Sequence, residues 1–232
     1  MQTITTPNDP SSEIKITAPN YSELTHLRPI ILNALQTINE TYIDNHNIPC
    51  FMLPSSGKEI TLTPVFYHAA FEAYKDKQVS YTPSAEVQVP RANGFGRLDL
   101  ALINKKYIEL CELKGARVKL HGPASNVIKK IESKLNSAKE QLNSINVKKL
   151  AKETALRLEK TAIVSLNLMT PEETTEYNNR FALEQLLSKV KESYPYALRA
   201  SLLYKLRHQI NRTSSKDKGE YTVGMLVIAL RV

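Results

Sequence analysis

Apolar residues recur along the chain with two different periods, and these periods predict where helices and strands lie. In the first third of the chain the period is helical. It predicts one helix from 21 to about 45 and a second from about 64 to 76, which Thr61 or Thr63 would cap. Residues 1 to 20 are rich in Thr, Pro, Asn and Ser with little periodicity, so they are predicted to form a flexible tail.

The middle of the chain alternates between apolar and polar residues, as strands do. Three such segments lie over 79–90, 97–104 and 107–114. Turn signals at 94–96 and 105–106 separate them, so an antiparallel meander is predicted.

The remaining segments return to helical patterns with short apolar runs between them. They predict helices over 126–158, 172–193 and 196–211, a buried strand over 162–169 and a final strand over 221–232. The central order is therefore α, β, β, β, α, β. This order is typical of an α/β fold in which a mixed sheet lies between helices. We expect one domain over 21–232, with extra N- and C-terminal helices and a C-terminal strand outside the central elements.

Composition restricts the class of protein. The 232 residues are 42% hydrophobic and 23% charged, which is typical of a globular domain. No apolar run reaches the roughly 18 residues of a membrane span, and the first residues lack the layout of a secretory signal. The two cysteines, Cys50 and Cys111, form no CxxC pair. We therefore expect a reduced, cytoplasmic protein without a membrane partner or a structural zinc.

Positive charge is concentrated in the middle of the chain. Residues 91 to 149 hold thirteen Lys and Arg but five Asp and Glu, and thus account for the whole net charge of +8. Concentrated positive charge favours a polyanionic partner, because contacts with phosphates release condensed counterions. A solvated basic helix face is the alternative.

Asp99, Glu112 and Lys114 are charged residues within otherwise apolar predicted strands. Glu112 and Lys114 lie two residues apart, so their side chains leave the same face of the third strand. Asp99 lies on the strand before, and carboxylates on neighbouring strands repel each other unless a cation lies between them. Such oxygen ligands suit Mg²⁺ or Mn²⁺, and Lys114 would hold a water or stabilise charge on a phosphate.

The tripeptide Glu-x-Lys alone is a weak signal, because it also occurs at 13–15 and 132–134. The first of these lies in the predicted tail, and the second lies on a predicted helix, where residues two apart do not face each other. Only the copy at 112–114 ends a strand that follows a hairpin with an isolated Asp. An ordinary ion pair at a strand end, with Asp99 closing a turn, is the alternative.

Three segments carry a resemblance to a known family. They are Glu-Val-Gln-Val-Pro at 86–90, Gly-Arg-Leu-Asp-Leu at 96–100 and Ile-Glu-Leu-Cys-Glu-Leu-Lys-Gly at 108–115. Together they resemble the core of the PD-(D/E)XK, or restriction-endonuclease-like, nucleases, although Leu98 stands where the family name has Pro. The resemblance covers about 64–170 and implies a fold with an α-β-β-β-α-β core. It also implies a metal-dependent nuclease that hydrolyses phosphodiester bonds in DNA.

The resemblance implies roles for the residues of the motif. Asp99, Glu112 and the backbone carbonyl of Leu113 would bind Mg²⁺ or Mn²⁺, and Lys114 would act on the nucleophilic water.

Further site residues follow from the same resemblance. The family often carries another acidic residue upstream, for which Glu72 is the first choice and Glu86 the second. Gln141 would match a Gln that some members carry on the helix after the motif.

Basic residues near the motif are the expected phosphate contacts. They are Arg97, Arg117, Lys119, Lys129 and Lys130. Contacts of this kind would bind the DNA backbone, and RNA stays open as a substrate. Double-strand cleavage would favour a homodimer with two centres.

Two other functions fit the same residues. One is a non-catalytic nucleic-acid-binding or interaction module on a nuclease-like scaffold. The other is an interaction protein whose basic helix, over 126–158, is a solvated face. Neither the substrate structure nor the pathway follows from the fold, because one scaffold serves many functions.

Overall fold

The computed structural model describes residues 2–6, 9–17, 24–44, 59–92, 94–170, 174–204, 210–211 and 221–232. The helices are α1 (Leu27–Asp44), α2 (Glu59–Lys75), α3 (Ala124–Asn143), α4 (Val147–Thr154) and α5 (Glu176–Ser193). The strands are β1 (Gln2–Thr6), β2 (Asp9–Thr17), β3 (Thr82–Arg91), β4 (Gly94–Ile103), β5 (Tyr107–Lys119), β6 (Arg157–Thr170), β7 (Leu198–Leu203), β8 (Ile210–Asn211) and β9 (Tyr221–Arg231). Cys50 lies outside the described residues, as do 21–23 and 45 of the first predicted helix, 172–173 of the helix predicted over 172–193 and 205–209 of that predicted over 196–211. Of the helices in these ranges, none has the length and apolar character needed to cross a bilayer.

The nine strands form one mixed sheet. Neighbours follow the order β1-β2-β7-β9-β6-β5-β4-β3, and β8 lies beside β9. β5 and β6 run parallel, and the other described pairs are antiparallel. The helices α3 and α4 join the parallel pair, since parallel strands need a long crossover. The α/β class and the mixed sheet agree with the sequence prediction.

Different helices cover the two faces of the sheet. On one face, α1 and α2 pack against residues such as Leu100 and Cys111. On the other face, α3 and α5 pack against residues such as Leu110. Because side chains alternate along a strand, Glu112 and Lys114 point to the face of Leu110, α3 and α5.

The predicted meander is confirmed, since β3 pairs with β4 and β4 with β5, both antiparallel. β5 is longer than predicted, because its pairing with β6 continues to Lys119. Glu112 and Lys114 therefore lie inside a strand and not at its end. The helix predicted over 126–158 is two helices, because the chain turns after α3 and the Asn146 side chain caps α4.

The N-terminal segment differs from its prediction. Residues 2–6 and 9–17, expected within a flexible tail, are strands of the sheet. β2 pairs with β7, and its residues Ile14 and Ile16 are buried in the core. Two apolar residues separated by one polar residue were too short a pattern to indicate a strand in a segment rich in Thr, Pro and Ser.

Two further predictions are wrong. The segment predicted as a helix over 196–211 contains strand β7, which lies between β2 and β9. β7 is buried on both faces, so its apolar run lacks the alternation that identifies a strand. α2 begins at Glu59, so Thr61 and Thr63 lie inside the helix and do not cap it.

Candidate active site

The β4–β5 ladder stops beside the predicted carboxylates. Its last backbone pair is Leu100 with Cys111, so Asp99 and Glu112 are the next residues on the two strands. At this point a side chain replaces the backbone acceptor, because Asp99 Oδ2 accepts the Leu113 N–H at 2.8 Å. The N–H and C=O of one strand residue leave on the same side, so the Leu113 carbonyl faces the same edge. The structure thus brings Asp99, Glu112 and the Leu113 main chain together.

The backbone of β3 is strained beside this point. Glu86 occupies the register position opposite Asp99, and its φ is 53°. A left-handed conformation is rare for a residue other than glycine, and strain of this kind concentrates at functional sites. At the same point the regular alternation of β4 is interrupted. Leu98 and Leu100 are two residues apart and would share a face of a regular strand, but Leu98 packs against α3 and α5 whereas Leu100 packs against α1 and α2.

Glu112 is a buried carboxylate with an incomplete set of partners. Lys114 Nζ donates to its Oε1 at 3.0 Å, and both side chains are buried. The other oxygen, Oε2, is buried without a hydrogen-bond partner. Burial and, after it, the negative charge of Asp99 raise the pKa of Glu112 to about 7, although Lys114 and Arg91 act in the opposite direction. An additional cation beside Glu112 would stabilise the charged carboxylate and give its Oε2 a partner.

Arg91 is a neighbour of the site that sequence reasoning missed. Its guanidinium donates to the carbonyl oxygens of Gln141 and Arg97, both at 2.7 Å, and so ties the β3–β4 hairpin to the end of α3. It passes so close to Gly96 that a Cβ there would lie 2.0 Å from Nε. Its charge lowers the pKa of Glu112. No local pattern indicates this role, because the contacts join residues far apart in the chain.

The donor set suits a hard divalent cation. Asp99, Glu112 and the Leu113 carbonyl supply oxygen atoms, and the unpartnered Glu112 Oε2 is one of them. In the described ranges, no group of three or more His, Cys, Asp or Glu side chains is placed to hold a metal ion. The remaining ligands would therefore be water and substrate, as is common for Mg²⁺.

The structure shows other contacts for several predicted site residues. Glu72, on α2, pairs with Lys75 at 3.5 Å, on the helix that covers the opposite face of the sheet. Glu86 is exposed and pairs with Arg97 at 3.4 Å. The Gln141 side chain is exposed near the end of α3. Their roles in metal binding, catalysis or nucleic-acid binding stay predictions.

Three of the predicted phosphate contacts share one groove. Arg117, Lys119 and Lys130 line a groove of about 270 Å³ between the end of β5 and the start of α3. The first turn of α3 carries no acidic residue that would oppose their charge. Lys129 is exposed but does not line this groove, and Arg97 lies in the β3–β4 hairpin.

A second buried carboxylate lies on the other face of β5. Glu109 is fully buried and accepts hydrogen bonds from Thr161 at 2.6 Å, from Arg231 at 3.1 Å and from His26. Burial alone raises the pKa of Glu109, but the hydrogen bonds and charges of His26 and Arg231 outweigh burial and hold the pKa below its usual value. The cluster joins β5, β6 and β9 to the start of α1. The same signal that identified Glu112, a charge within an apolar strand, was present here too.

No protein-family model matches the chain, and no characterised protein or solved structure is significantly similar to it. The functional conclusion therefore rests on the residues and their geometry.

Proposed function

We propose that this protein is a metal-dependent nuclease that hydrolyses phosphodiester bonds in DNA, with its centre at Asp99, Glu112 and Lys114. The observation that carries the proposal is the state of Glu112, a buried carboxylate with a pKa of about 7 and one unpartnered oxygen. A structural ion pair has no need of a second carboxylate beside it, because the added negative charge opposes burial. A site for a divalent cation does need a second carboxylate, because the cation binds several negatively charged oxygen atoms.

Each residue of the centre would have a distinct task. Asp99, Glu112 and the Leu113 carbonyl would hold Mg²⁺ or Mn²⁺, which would polarise the scissile phosphate and lower the pKa of a water. Lys114 would donate a hydrogen bond to the attacking water or to a phosphate oxygen on which negative charge develops. Arg91 would keep the hairpin that carries Asp99 in place.

The order of elements supports the same proposal. α2, β3, β4, β5, α3 and β6 follow each other with the short helix α4 added before β6, and their strands are neighbours in the sheet. The resemblance to PD-(D/E)XK nucleases implies such an α-β-β-β-α-β core. It also implies an Asp on the second strand and Glu-x-Lys on the third, where Asp99 and 112–114 lie.

Beside the proposed centre, one edge of β5 has no partner strand in the described part of the chain. In the described part of the chain, residues 112–119 of β5 pair with β6 on one side and have no strand on the other. This edge leads from Glu112 and Lys114 to the groove of Arg117, Lys119 and Lys130. The groove would hold backbone phosphates, so binding would weaken as the salt concentration rises.

The proposal is tested by incubating the protein with plasmid and linear DNA in the presence of Mg²⁺ or Mn²⁺. The unaltered protein is expected to cleave, and Asp99→Ala and Lys114→Ala are expected to lose cleavage. Lys134→Ala is the matched control, because Lys134 belongs to the Glu-x-Lys copy on α3. Unchanged cleavage by Asp99→Ala and Lys114→Ala would overturn the assignment.

One observation favours a second function, a nucleic-acid-binding module without catalysis. The described residues supply two neighbouring carboxylates but no larger group of metal-binding side chains. Calorimetry with Mn²⁺ separates the two functions. Absence of metal-binding heat, together with DNA binding that depends on salt, would favour the binding module.

A further inference from the structure

We propose that a cavity at the carboxyl ends of β5 and β6 receives an unpaired nucleobase of a nucleic-acid strand whose phosphates lie in the adjoining basic groove. The cavity has a volume of about 490 Å³ and lies between α3 and α5. The inference deepens the proposed nuclease function, since it assigns to the substrate a single-stranded or unpaired segment.

The position of the cavity is the usual one for a ligand in an α/β sheet. β5 and β6 run parallel, and the residues that follow or end them, Leu120, His121 and Thr170, line the cavity. In open α/β sheets, ligands bind outside the carboxyl ends of parallel strands. The volume lies within the range of small-ligand sites, about 300–1,000 Å³, and a nucleobase fits inside it.

An exposed aromatic ring forms one wall. Phe181 lines the cavity, yet 54% of it is exposed. Tyr177 lies one helical turn earlier on the same side of α5, and 76% of it is exposed. Exposed aromatic rings beside a cationic groove are the usual platform on which unpaired bases stack.

Polar groups lie where they could pair with the edge of a base. Asn178 and Gln185 line the cavity together with His121. The buried Asn179 fixes the position of His121, since its Oδ1 accepts a hydrogen bond from His121 Nε2 at 2.8 Å.

The cavity and the basic groove adjoin each other. Gly122 and Val127 line both of them, so a strand with phosphates at Arg117 and Lys130 places a base at the cavity. Leu120 lies six residues after Lys114, which is ~20 Å along an extended strand. A base in the cavity is therefore several nucleotides from the proposed centre.

The test is the binding of a single-stranded oligonucleotide that carries 2-aminopurine, measured in EDTA so that no cleavage occurs. Stacking on Phe181 quenches the fluorescence of this base. Phe181→Ala is expected to abolish the quenching and to weaken binding about 5- to 150-fold. Tyr196→Ala is the matched control, because Tyr196 is 80% exposed and does not line the cavity.

Charge variants and substrates complete the test. Lys130→Ala is expected to weaken binding and its salt dependence, whereas Lys191→Ala removes an exposed charge outside the groove and leaves binding unchanged. A blunt duplex is expected to bind more weakly than DNA or RNA with an unpaired segment.

The outcomes separate this inference from the nuclease proposal. Quenching that needs Phe181, without cleavage in Mg²⁺ or Mn²⁺, would support the base site and overturn the nuclease. Equal quenching and affinity in Phe181→Ala would overturn the base site, even if the protein cleaves DNA. A change of oligomeric mass in Phe181→Ala, without a change in oligonucleotide binding, would show that the surface around Phe181 contacts a second copy of the chain. That result would also overturn the base site.

Discussion

The carboxylate of Asp99 accepts a hydrogen bond from the backbone N–H of Leu113 at 2.8 Å, at the point where the β4–β5 ladder ends. Asp99 can therefore contribute in two ways, through this hydrogen bond and through its negative charge. Two substitutions distinguish the two contributions. Asp99→Asn keeps a side-chain oxygen that can accept the Leu113 N–H, but it removes the charge. Asp99→Ala removes both.

We expect Asp99→Asn and Asp99→Ala to lose DNA cleavage by at least about 100-fold, because each lacks the charge that binds the cation. Only Asp99→Ala should lose about 1 kcal/mol of unfolding free energy, since it leaves the Leu113 N–H without a partner. Cleavage assays and urea unfolding measure the two effects. Cleavage by Asp99→Asn at the unaltered rate would contradict the role of the charge.

The pH dependence of stability reports on Glu112. Its pKa is about 7 in the folded protein, because burial and Asp99 disfavour its charge, against an ordinary value of 4.5. The folded state thus holds a proton more tightly, so its contribution to stability is present below pH 4.5 and is lost as pH rises through about 7. Without metal, this loss should approach about 3 kcal/mol.

Divalent metal should reverse that trend. Mg²⁺ or Mn²⁺ binds the charged carboxylate, so it should raise the free energy of unfolding more at pH 8 than at pH 5.5. Urea unfolding in EDTA and in metal checks both statements, and Glu112→Gln should remove both. Equal stabilisation by metal at the two pH values would argue against Glu112 as a ligand.

Glu109 should give the opposite pH dependence. Its pKa is held below the usual value, because His26 and Arg231 outweigh the effect of burial. Its contribution to stability is therefore present above pH 4.5 and is lost as pH falls through the lower pKa of the folded state.

We expect Glu109→Gln to lower the unfolding free energy at pH 7 by about 3 kcal/mol, because Arg231 and His26 lose the buried negative charge that both contact. Glu192→Gln, which breaks an exposed pair with Lys189, should cost no more than ~0.5 kcal/mol. Urea unfolding measures both. Equal losses in the two variants would contradict a buried ion pair at Glu109.

Gly96→Ala tests the placement of Arg91. A Cβ at residue 96 would lie 2.0 Å from Arg91 Nε, so the arginine side chain must move and lose its bonds to the Arg97 and Gln141 carbonyls. Gly96→Ala and Arg91→Ala should each reduce cleavage about tenfold, and the double variant no further.

A readout beyond activity distinguishes this effect from simple loss of stability. Because Arg91 lowers the pKa of Glu112, both variants should shift the metal-free pH dependence of stability to higher pH. An unshifted profile, or additive losses in the double variant, would contradict coupling between Gly96 and Arg91.

The features that the sequence predicts are those with a local cause. Asp99, Glu112 and Lys114 are charges within apolar strands, and because burying a charge needs a partner, each one predicts a polar contact in the interior. The meander follows from alternation between turns, and the final strand follows from an apolar run after a polar loop. These patterns are complete within about ten residues.

The features that the sequence missed depend on partners far along the chain. β7 is buried on both faces by β2 and β9, so its pattern matches a buried helix as well as a strand. β2 becomes a strand because β7 offers it an edge. Arg91 acquires its role from α3, and the cavity beside Phe181 exists only when α3 and α5 pack on the ends of β5 and β6.

The central claim is tested most directly by comparing one substitution in two copies of the same tripeptide. Cleavage of a linear duplex with a single-stranded overhang, in Mg²⁺ or Mn²⁺, would be measured for the unaltered protein, Glu112→Gln and Glu132→Gln. We predict cleavage by the unaltered protein and by Glu132→Gln, and a loss of at least about 100-fold in Glu112→Gln. Cleavage by Glu112→Gln at the unaltered rate, or no cleavage by the unaltered protein with either metal, would contradict a metal-dependent nuclease centre at Glu112.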